Sequence, residues 1–358
     1  MSVKSVAVVG LGIGRVHIVD GYVPNADRFR LAALCDPDAG RLSAVGDEFG
    51  VARRTNAFQD LLDDPSIDII DICTPPWLHR RQVEAALAAG KHVVCEKPLA
   101  GSLADVDAII AAERNAAGVL MPVFQYRYGD GVEKARRIID AGIAGKPYLG
   151  TVETLWLREA DYYAAAPWRG KWASELGGAL VGHAIHQHDM LTLLMGPVAR
   201  VFGRVATRVN DIEVEDCASA SLTMASGALV SLSVTLGARE EISRLRLQFE
   251  HVTFESSHAA YSPGDDPWRI IAANPAVQAR IDAEIADWTP VTPLFAGQML
   301  RFHDHLIGRG PLPVTSGDAR RALELVTAIY LSSDSGAEVA LPLGPDSPKY
   351  ADWRARTR

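Results

Sequence analysis

Two groups of residues in this sequence could move a proton while a hydride is transferred. Lys97 stands in Glu96-Lys97-Pro98, directly after the apolar run His92–Cys95. Further along, His183, His186 and His188 fall with Asp189 in an otherwise apolar stretch. Oxidising a secondary alcohol sends a hydride to an acceptor and leaves a hydroxyl proton for a nearby base. A histidine titrates near neutral pH unaided. A lysine must be brought from about 10.4 toward roughly 7–8 by burial or a neighbouring cation before it acts as a base; otherwise it is a cationic hydrogen-bond donor. Lone lysines are usually solvated surface charges, but one held between an apolar strand and a proline at a strand end is a catalytic candidate.

The apolar spacing predicts one helix over Leu176–Met195, which would place His183, His186 and Asp189 at successive three-residue steps on one face. There they could orient one another or ligate a metal. Hydride transfer needs no metal when a lysine polarises the oxygen, and no cysteine or second carboxylate pair stands nearby in sequence, so no metal is expected. His188 lies off that face and reads as a core or interface residue.

The hydride partner is indicated near the N-terminus. The run Gly10-Leu11-Gly12-Ile13-Gly14-Arg15-Val16-His17 follows the apolar stretch Val6–Val9 and opens a helix. Glycines let the chain turn sharply and bring backbone N–H groups to a pyrophosphate, which the positive end of the helix also favours. Gly10, Gly12, Ile13, Gly14 and Arg15 are the candidate contacts. The spacing departs from Gly-x-Gly-x-x-Gly, because the third glycine arrives one residue early and Arg15 holds its place. Asp36 ends the second strand 22 residues beyond Gly14, near the separation at which a carboxylate meets the adenosine ribose. Its charge would repel a 2′-phosphate, so NAD is expected; NADP stays possible, since Arg15 or another basic residue could receive a phosphate.

Parallel-sheet grammar positions these residues. From residue 5 to about 124 short apolar runs alternate with helical stretches: strands at Val6–Val9, Leu31–Cys35, Ile67–Ile72, His92–Cys95 and Val119–Phe124, with helices such as Arg81–Ala89 and Leu103–Glu113. This predicts an α/β Rossmann domain with a doubly wound parallel sheet over 1–124. Ligands bind beyond the carboxyl ends of such strands, where Thr74-Pro75-Pro76-Trp77-Leu78-His79 and Glu96-Lys97-Pro98 emerge. After a helix near Val132–Ala141 the pattern changes to long Val-, Leu- and Thr-rich strands. Ala199–Arg208, Cys217–Met224, Ala228–Leu236 and Arg244–Phe249 read as an antiparallel meander, and helices follow at Phe295–Ile307 and Asp318–Ser332. The second domain, 125–358, is expected to be α+β, with a large, mostly antiparallel open sheet for substrate binding and oligomerisation.

Taken together, the glycine turn with Arg15 and His17, Thr74-Pro75 with His79, Glu96-Lys97-Pro98, Gln125-Tyr126-Arg127, Gly177-Gly178, His186 with Asp189, and Gly317-Asp318-Ala319-Arg320 resemble the Gfo/Idh/MocA group. Its members include glucose–fructose oxidoreductase, inositol dehydrogenase and rhizopine-catabolism proteins. The resemblance covers nearly the whole chain and implies an NAD(P)-dependent oxidoreductase acting on a hydroxyl or carbonyl carbon of a sugar, inositol or sugar derivative. It implies that Lys97 and His186 flank that carbon, Lys97 bonding the oxygen and His186 relaying its proton. Thr74, Pro75, His79, Glu96, Lys97 and Gln125 would join the cofactor contacts. Tyr126, Trp168, Arg169, His183 and Asp189 would join Lys97 and His186 at the substrate. Members commonly carry an aspartate four residues before the histidine; here that position is Gly182, and His183 is expected to take over part of its work.

An aromatic, basic loop, Tyr162-Tyr163 and Pro167 to Trp172, precedes the histidines; it could stack on a sugar, or serve as a lid or subunit contact. The acidic run 211–216 lacks the glycine-punctuated loop of calcium sites. A net charge of −8 offers no attraction to nucleic acid or anionic lipid. No apolar run is long enough for a membrane span, and no secretory leader is evident. The four cysteines, Cys35, Cys73, Cys95 and Cys217, lack metal or disulfide spacing and read as core residues of a cytoplasmic protein. A homodimer or homotetramer is expected. The alternative is a dinucleotide-binding regulatory protein that uses the same fold without turnover.

Overall fold

The computed structural model describes residues 2–354. Two compact units divide the chain: one runs through Gln125 and takes back Leu294–Arg320, and the other runs from Tyr126 to Pro293 and resumes at Arg321.

The first unit is built on β1 (Lys4–Val9), β2 (Phe29–Cys35), β3 (Arg54–Thr55), β4 (Ile69–Ile72), β5 (His92–Cys95) and β6 (Leu120–Pro122). They form a six-stranded sheet in the order β3-β2-β1-β4-β5-β6, with every pair parallel. Strands covered on both faces read as continuous apolar runs, and β1 and β5 are buried from their second residue onward. The order reverses between β1 and β4, so the ligand crevice of this fold lies beyond Val9 and Ile72. The helix Leu294–Leu306 falls in the region that the sequence assigned to the second domain, yet it packs with this unit. It does so because Gln298 sews it to the end of β6: its Nε2 donates to the Pro122 carbonyl at 2.8 Å and its Oε1 accepts the Phe124 N–H at 3.1 Å.

The second unit carries β7 (Pro147–Leu157), β8 (Val198–Ala206), β9 (Cys217–Met224), β10 (Leu229–Thr235), β11 (Gly237–Phe249), β12 (Val252–Glu255), β13 (Arg269–Ala272) and β14 (Val339–Ala340). Their order is β13-β12-β11-β7-β10-β9-β8-β14. All pairs are antiparallel except β7 with β10. The expected meander therefore holds from β8 to β10 and then fails, because β11 pairs with β7 and not with β10. Only Leu236 separates β10 from β11, too little for a two-residue hairpin. The chain instead crosses the end of β7, where Leu236 accepts the Arg158 N–H, and continues along its far edge.

One face of this sheet is covered by the helices Ile185–Met195 and Ser316–Ser335; the Ser332 hydroxyl accepts the Gly203 N–H of β8. The other face is open among the described residues. Phe202, Leu149 and Leu229 share its register with Ser221, Ser231 and Thr151, and all three large side chains are exposed.

Candidate active site

Each glycine of the turn after β1 has its own task. Gly10 adopts φ +86°, and a Cβ there would lie 2.6 Å from the Cys73 carbonyl oxygen, so only glycine lets this turn pass against the end of β4. A Cβ on Gly14 would meet Val8 Cγ1 at 2.8 Å, so the helix start packs directly on β1. At Gly12 a Cβ would meet nothing within 4 Å. That open backbone beside a helix start is the form a dinucleotide pyrophosphate needs. The early third glycine thus performs the packing role, and Arg15 turns away to Glu48, its Nε donating to Oε2 at 2.8 Å.

Asp36 is buried at the end of β2. Its Oδ2 accepts the Leu11 N–H at 2.7 Å, its Oδ1 accepts the Asp38 N–H at 2.9 Å, and Arg41 stands 3.3 Å away. The carboxylate therefore ties the glycine turn to β2, and an exposed cation lies beside it that the sequence did not single out.

The loops after β4 and β5 are laced together. His79 is fully buried, with Nδ1 2.8 Å from the Pro98 carbonyl and Nε2 2.7 Å from the Thr74 carbonyl. It stands between the Thr74-Pro75 and Glu96-Lys97-Pro98 segments, and because burial lowers its pKa, its neutral ring donates to one of the two carbonyls. The Glu96 Oε2 accepts the Lys97 N–H at 2.9 Å, and the Lys97–Pro98 peptide is cis. Gln125 is half-buried, its Oε1 enclosed among the described residues with no protein donor. Beneath this lattice, His17 bridges two carboxylates: Nδ1 lies 2.9 Å from Asp71 and Nε2 2.9 Å from Glu96. Asp71 in the middle of β4 was missed from the sequence, although a charge inside an apolar strand must find a partner.

The second unit holds the other histidines. The predicted continuous helix is broken: Ala179–Gly182 forms one turn, and Ile185–Met195 begins anew after His183, whose φ of −126° and ψ of −55° leave the helix. Gly182, a poor helix former, ends the first turn. His183 therefore does not continue the face of His186 and Asp189, which corrects the shared-face arrangement and the metal geometry built on it. His186 stacks on Tyr126, with ring centroids 4.4 Å apart. Asp189, expected at the substrate, is held by Arg127, whose Nε donates to its Oδ2 at 2.6 Å. His188 has no exposed surface, and burial lowers its pKa to about 3, so it is a neutral core residue.

His183 sits in an aromatic box. Its ring meets Trp156 edge-on at 5.3 Å, and its Nε2 lies 3.5 Å from the Tyr162 hydroxyl. The Tyr162 ring in turn carries the guanidinium of Arg169 at 3.9 Å and that of Arg158 at 5.1 Å. Arg158 also pairs with Glu241 at 2.8 Å and reaches the Tyr261 hydroxyl at 3.1 Å. Trp168 lies under the Arg169 guanidinium at 5.4 Å. Trp156, Arg158, Glu241 and Tyr261 were not foreseen. The visible signal was a Trp and an Arg at the end of a long strand.

The family model described as "Oxidoreductase family, NAD-binding Rossmann fold" matches residues 4–124, and the GFO/IDH/MocA C-terminal domain matches residues 132–255. The chain belongs to this oxidoreductase family. Among GFO/IDH/MocA relatives, it is 26% identical to a D-apiose dehydrogenase of Rhizobium rhizogenes, over 93% of this chain and 96% of that one. It is 31% identical to the myo-inositol 2-dehydrogenase of Thermotoga maritima, over 58% of this chain and 59% of that one. A solved structure of the WlbA dehydrogenase from Bordetella pertussis, in complex with NADH and UDP-GlcNAcA, superposes with a TM-score of 0.84 at 29% identity. That match covers 96% of this chain and 100% of the other. No helix among the described residues is long and apolar enough to cross a membrane.

Proposed function

We propose that this GFO/IDH/MocA oxidoreductase interconverts a secondary hydroxyl and a carbonyl on a cyclic sugar, inositol or sugar derivative. The observation that carries this reading is Lys97, presented after β5 in a loop braced by Glu96 and His79, beside a glycine turn whose Gly12 backbone is open. NAD, when bound, supplies the hydride acceptor. Gly10, Gly12, Ile13 and Gly14 are the residues assigned to its phosphates, with Arg15 drawn off to Glu48; Asp36 is assigned to its ribose, and Thr74, Pro75, His79, Glu96 and Gln125 to the supporting shell.

The ammonium of Lys97 hydrogen-bonds the substrate oxygen and steadies negative charge as the hydroxyl proton leaves. His186, held flat against Tyr126, accepts that proton. His183 contacts a neighbouring hydroxyl, in place of the aspartate that Gly182 displaces. Trp168, Arg169 and Tyr162 offer an aromatic and cationic wall, which suits a ring with hydroxyl or carboxylate substituents. The relatives named for a sugar and for an inositol support the same class.

The open sheet face with Phe202, Leu149 and Leu229 fits a self-complementary contact between copies of the chain, giving a dimer or tetramer. Four free cysteines fit a reducing, cytoplasmic setting.

The test is a panel of sugars, inositols and sugar acids, each offered with NAD and with NADP. Reduced cofactor with one structural class identifies the substrate class. Tight dinucleotide binding with silence across the panel counts against this reading.

A further inference from the structure

The bridge through His17 runs by way of Glu96 to the backbone of Lys97. After one α-helical turn, the first helix widens into a π-helical segment over His17–Tyr22, which turns the imidazole into the sheet. Every neighbour there is specific. From β4, Asp71 Oδ2 lies 2.9 Å from Nδ1, and the Cys73 sulfur lies 3.3 Å from the same nitrogen. From the end of β5, Glu96 Oε1 lies 2.9 Å from Nε2. Tyr22, one turn further along, donates its hydroxyl to Asp71 at 2.9 Å. The Phe295 ring covers the remaining side, with centroids 4.7 Å apart.

A neutral imidazole carries one N–H and could satisfy only one of the two carboxylates, turning a lone pair toward the other. Two buried carboxylates also need a cation between them. The imidazolium meets both demands. Burial is the largest single influence and opposes its charge, but Asp71 and Cys73 together lift the His17 pKa well above its ordinary value. His17, Asp71 and Cys73 do bring three ligand-type atoms within 4.8 Å of one another. The 2.9 Å between Nδ1 and Asp71, however, is a hydrogen-bond separation that a shared proton fills.

We propose that His17 is a positioning residue: its imidazolium clamps Glu96, and the second Glu96 oxygen holds the Lys97 N–H and so fixes the backbone from which the lysine acts. Lys97's role rests on the dehydrogenase reading above; the charge state of His17 does not. His79 braces the same turn from the other side through the Pro98 carbonyl, so Lys97 leaves a segment pinned at both ends.

The first measurement is ¹⁵N NMR of the histidine side chains in the full chain. Both His17 nitrogens should still carry protons at neutral pH, above about 6.5, where an ordinary histidine has given its proton up. A neutral His17 at pH 7 would overturn the proposal whatever the substrate proves to be. The second is a kinetic cycle of His17→Asn, Glu96→Gln and the double variant. Each single change should lower kcat about 10- to 100-fold, with substrate KM and NAD affinity within about twofold. Because His17 acts through Glu96, the double variant should be no slower than the slower single one. Losses that multiply, or a His17→Asn enzyme within twofold of wild type, would refute the link. If His17→Asn does not fold, Asp71→Asn takes its place in the cycle under the same criteria.

Discussion

Arg127 grips Asp189 at two points, Nε donating to Oδ2 at 2.6 Å and Nη2 to Oδ1, with both side chains buried. Tyr126 precedes the arginine, and His186 stands one helical turn before the aspartate. The ion pair therefore holds the two backbones whose side chains stack. Breaking a buried pair by removing one partner leaves an uncompensated charge, at a cost of about 3–5 kcal/mol. Asp189→Asn should lower the melting temperature clearly and reduce turnover. A variant as stable as wild type would show that the pair contributes little.

The glycine turn gives a contrast between neighbours. Gly10→Ala forces a side chain into positive φ and against the Cys73 carbonyl, so it should destabilise the fold by roughly 1–3 kcal/mol. Gly12→Val has open space around its Cβ; stability should stay near wild type while NAD affinity falls about tenfold or more, because the pyrophosphate loses its close approach. Calorimetry on both variants, with and without NAD, separates the two effects. Unaltered NAD binding in Gly12→Val would place the cofactor elsewhere.

Glu215 supplies a pH signature. Burial pushes its carboxyl up to about 7 from an ordinary 4.5, against the opposing pull of the Leu180 N–H and the Tyr330 hydroxyl. A raised folded-state pKa means that the folded chain binds the proton more tightly. Its stabilising effect is complete below about 4.5 and is lost as the pH rises through about 7. Glu215→Gln cannot ionise, so the melting-temperature gap between wild type and variant should move in the variant's favour across that window. A gap that stays constant with pH would show that Glu215 titrates normally.

His183 lies between Trp156 and Tyr162 and off the helix of His186. If it contacts a substrate hydroxyl, His183→Ala should reduce kcat/KM about 10- to 100-fold, in the range of a lost polar contact at a reacting site, with NAD affinity unchanged. Wild-type kinetics would make the residue a packing element of the aromatic box.

Much of this architecture was legible because parallel strands and their loops declare themselves locally. The apolar runs of β1, β4 and β5, the glycine turn and Glu96-Lys97-Pro98 all sit within a few residues of where their patterns place them. What escaped depended on distant partners. Asp71 looked like an interruption of a strand until His17, 54 residues away, supplied its cation. The break at His183 was hidden because apolar spacing continues across it, and the departure is made by the backbone at Gly182–Ala184. The parallel pairing of β7 with β10 turned on a connection of one residue, shorter than the meander pattern presumed. In the wall of Trp156, Arg158 and Tyr261 only the first two are neighbours in sequence, and Tyr261 comes from 103 residues beyond Arg158, which no local spacing records.

Hydride transfer by this chain is expected to depend on Lys97. Its most direct measurement supplies NAD with sugars or inositols deuterated at carbon and follows deuterium into the reduced cofactor by mass spectrometry, for wild type and Lys97→Ala. Deuterium should appear in the cofactor with wild type and fall by about 10²- to 10⁴-fold in the variant, the range for loss of a positioned acid–base group. Equal deuterium transfer by both proteins, or reduced cofactor without deuterium, would contradict the account.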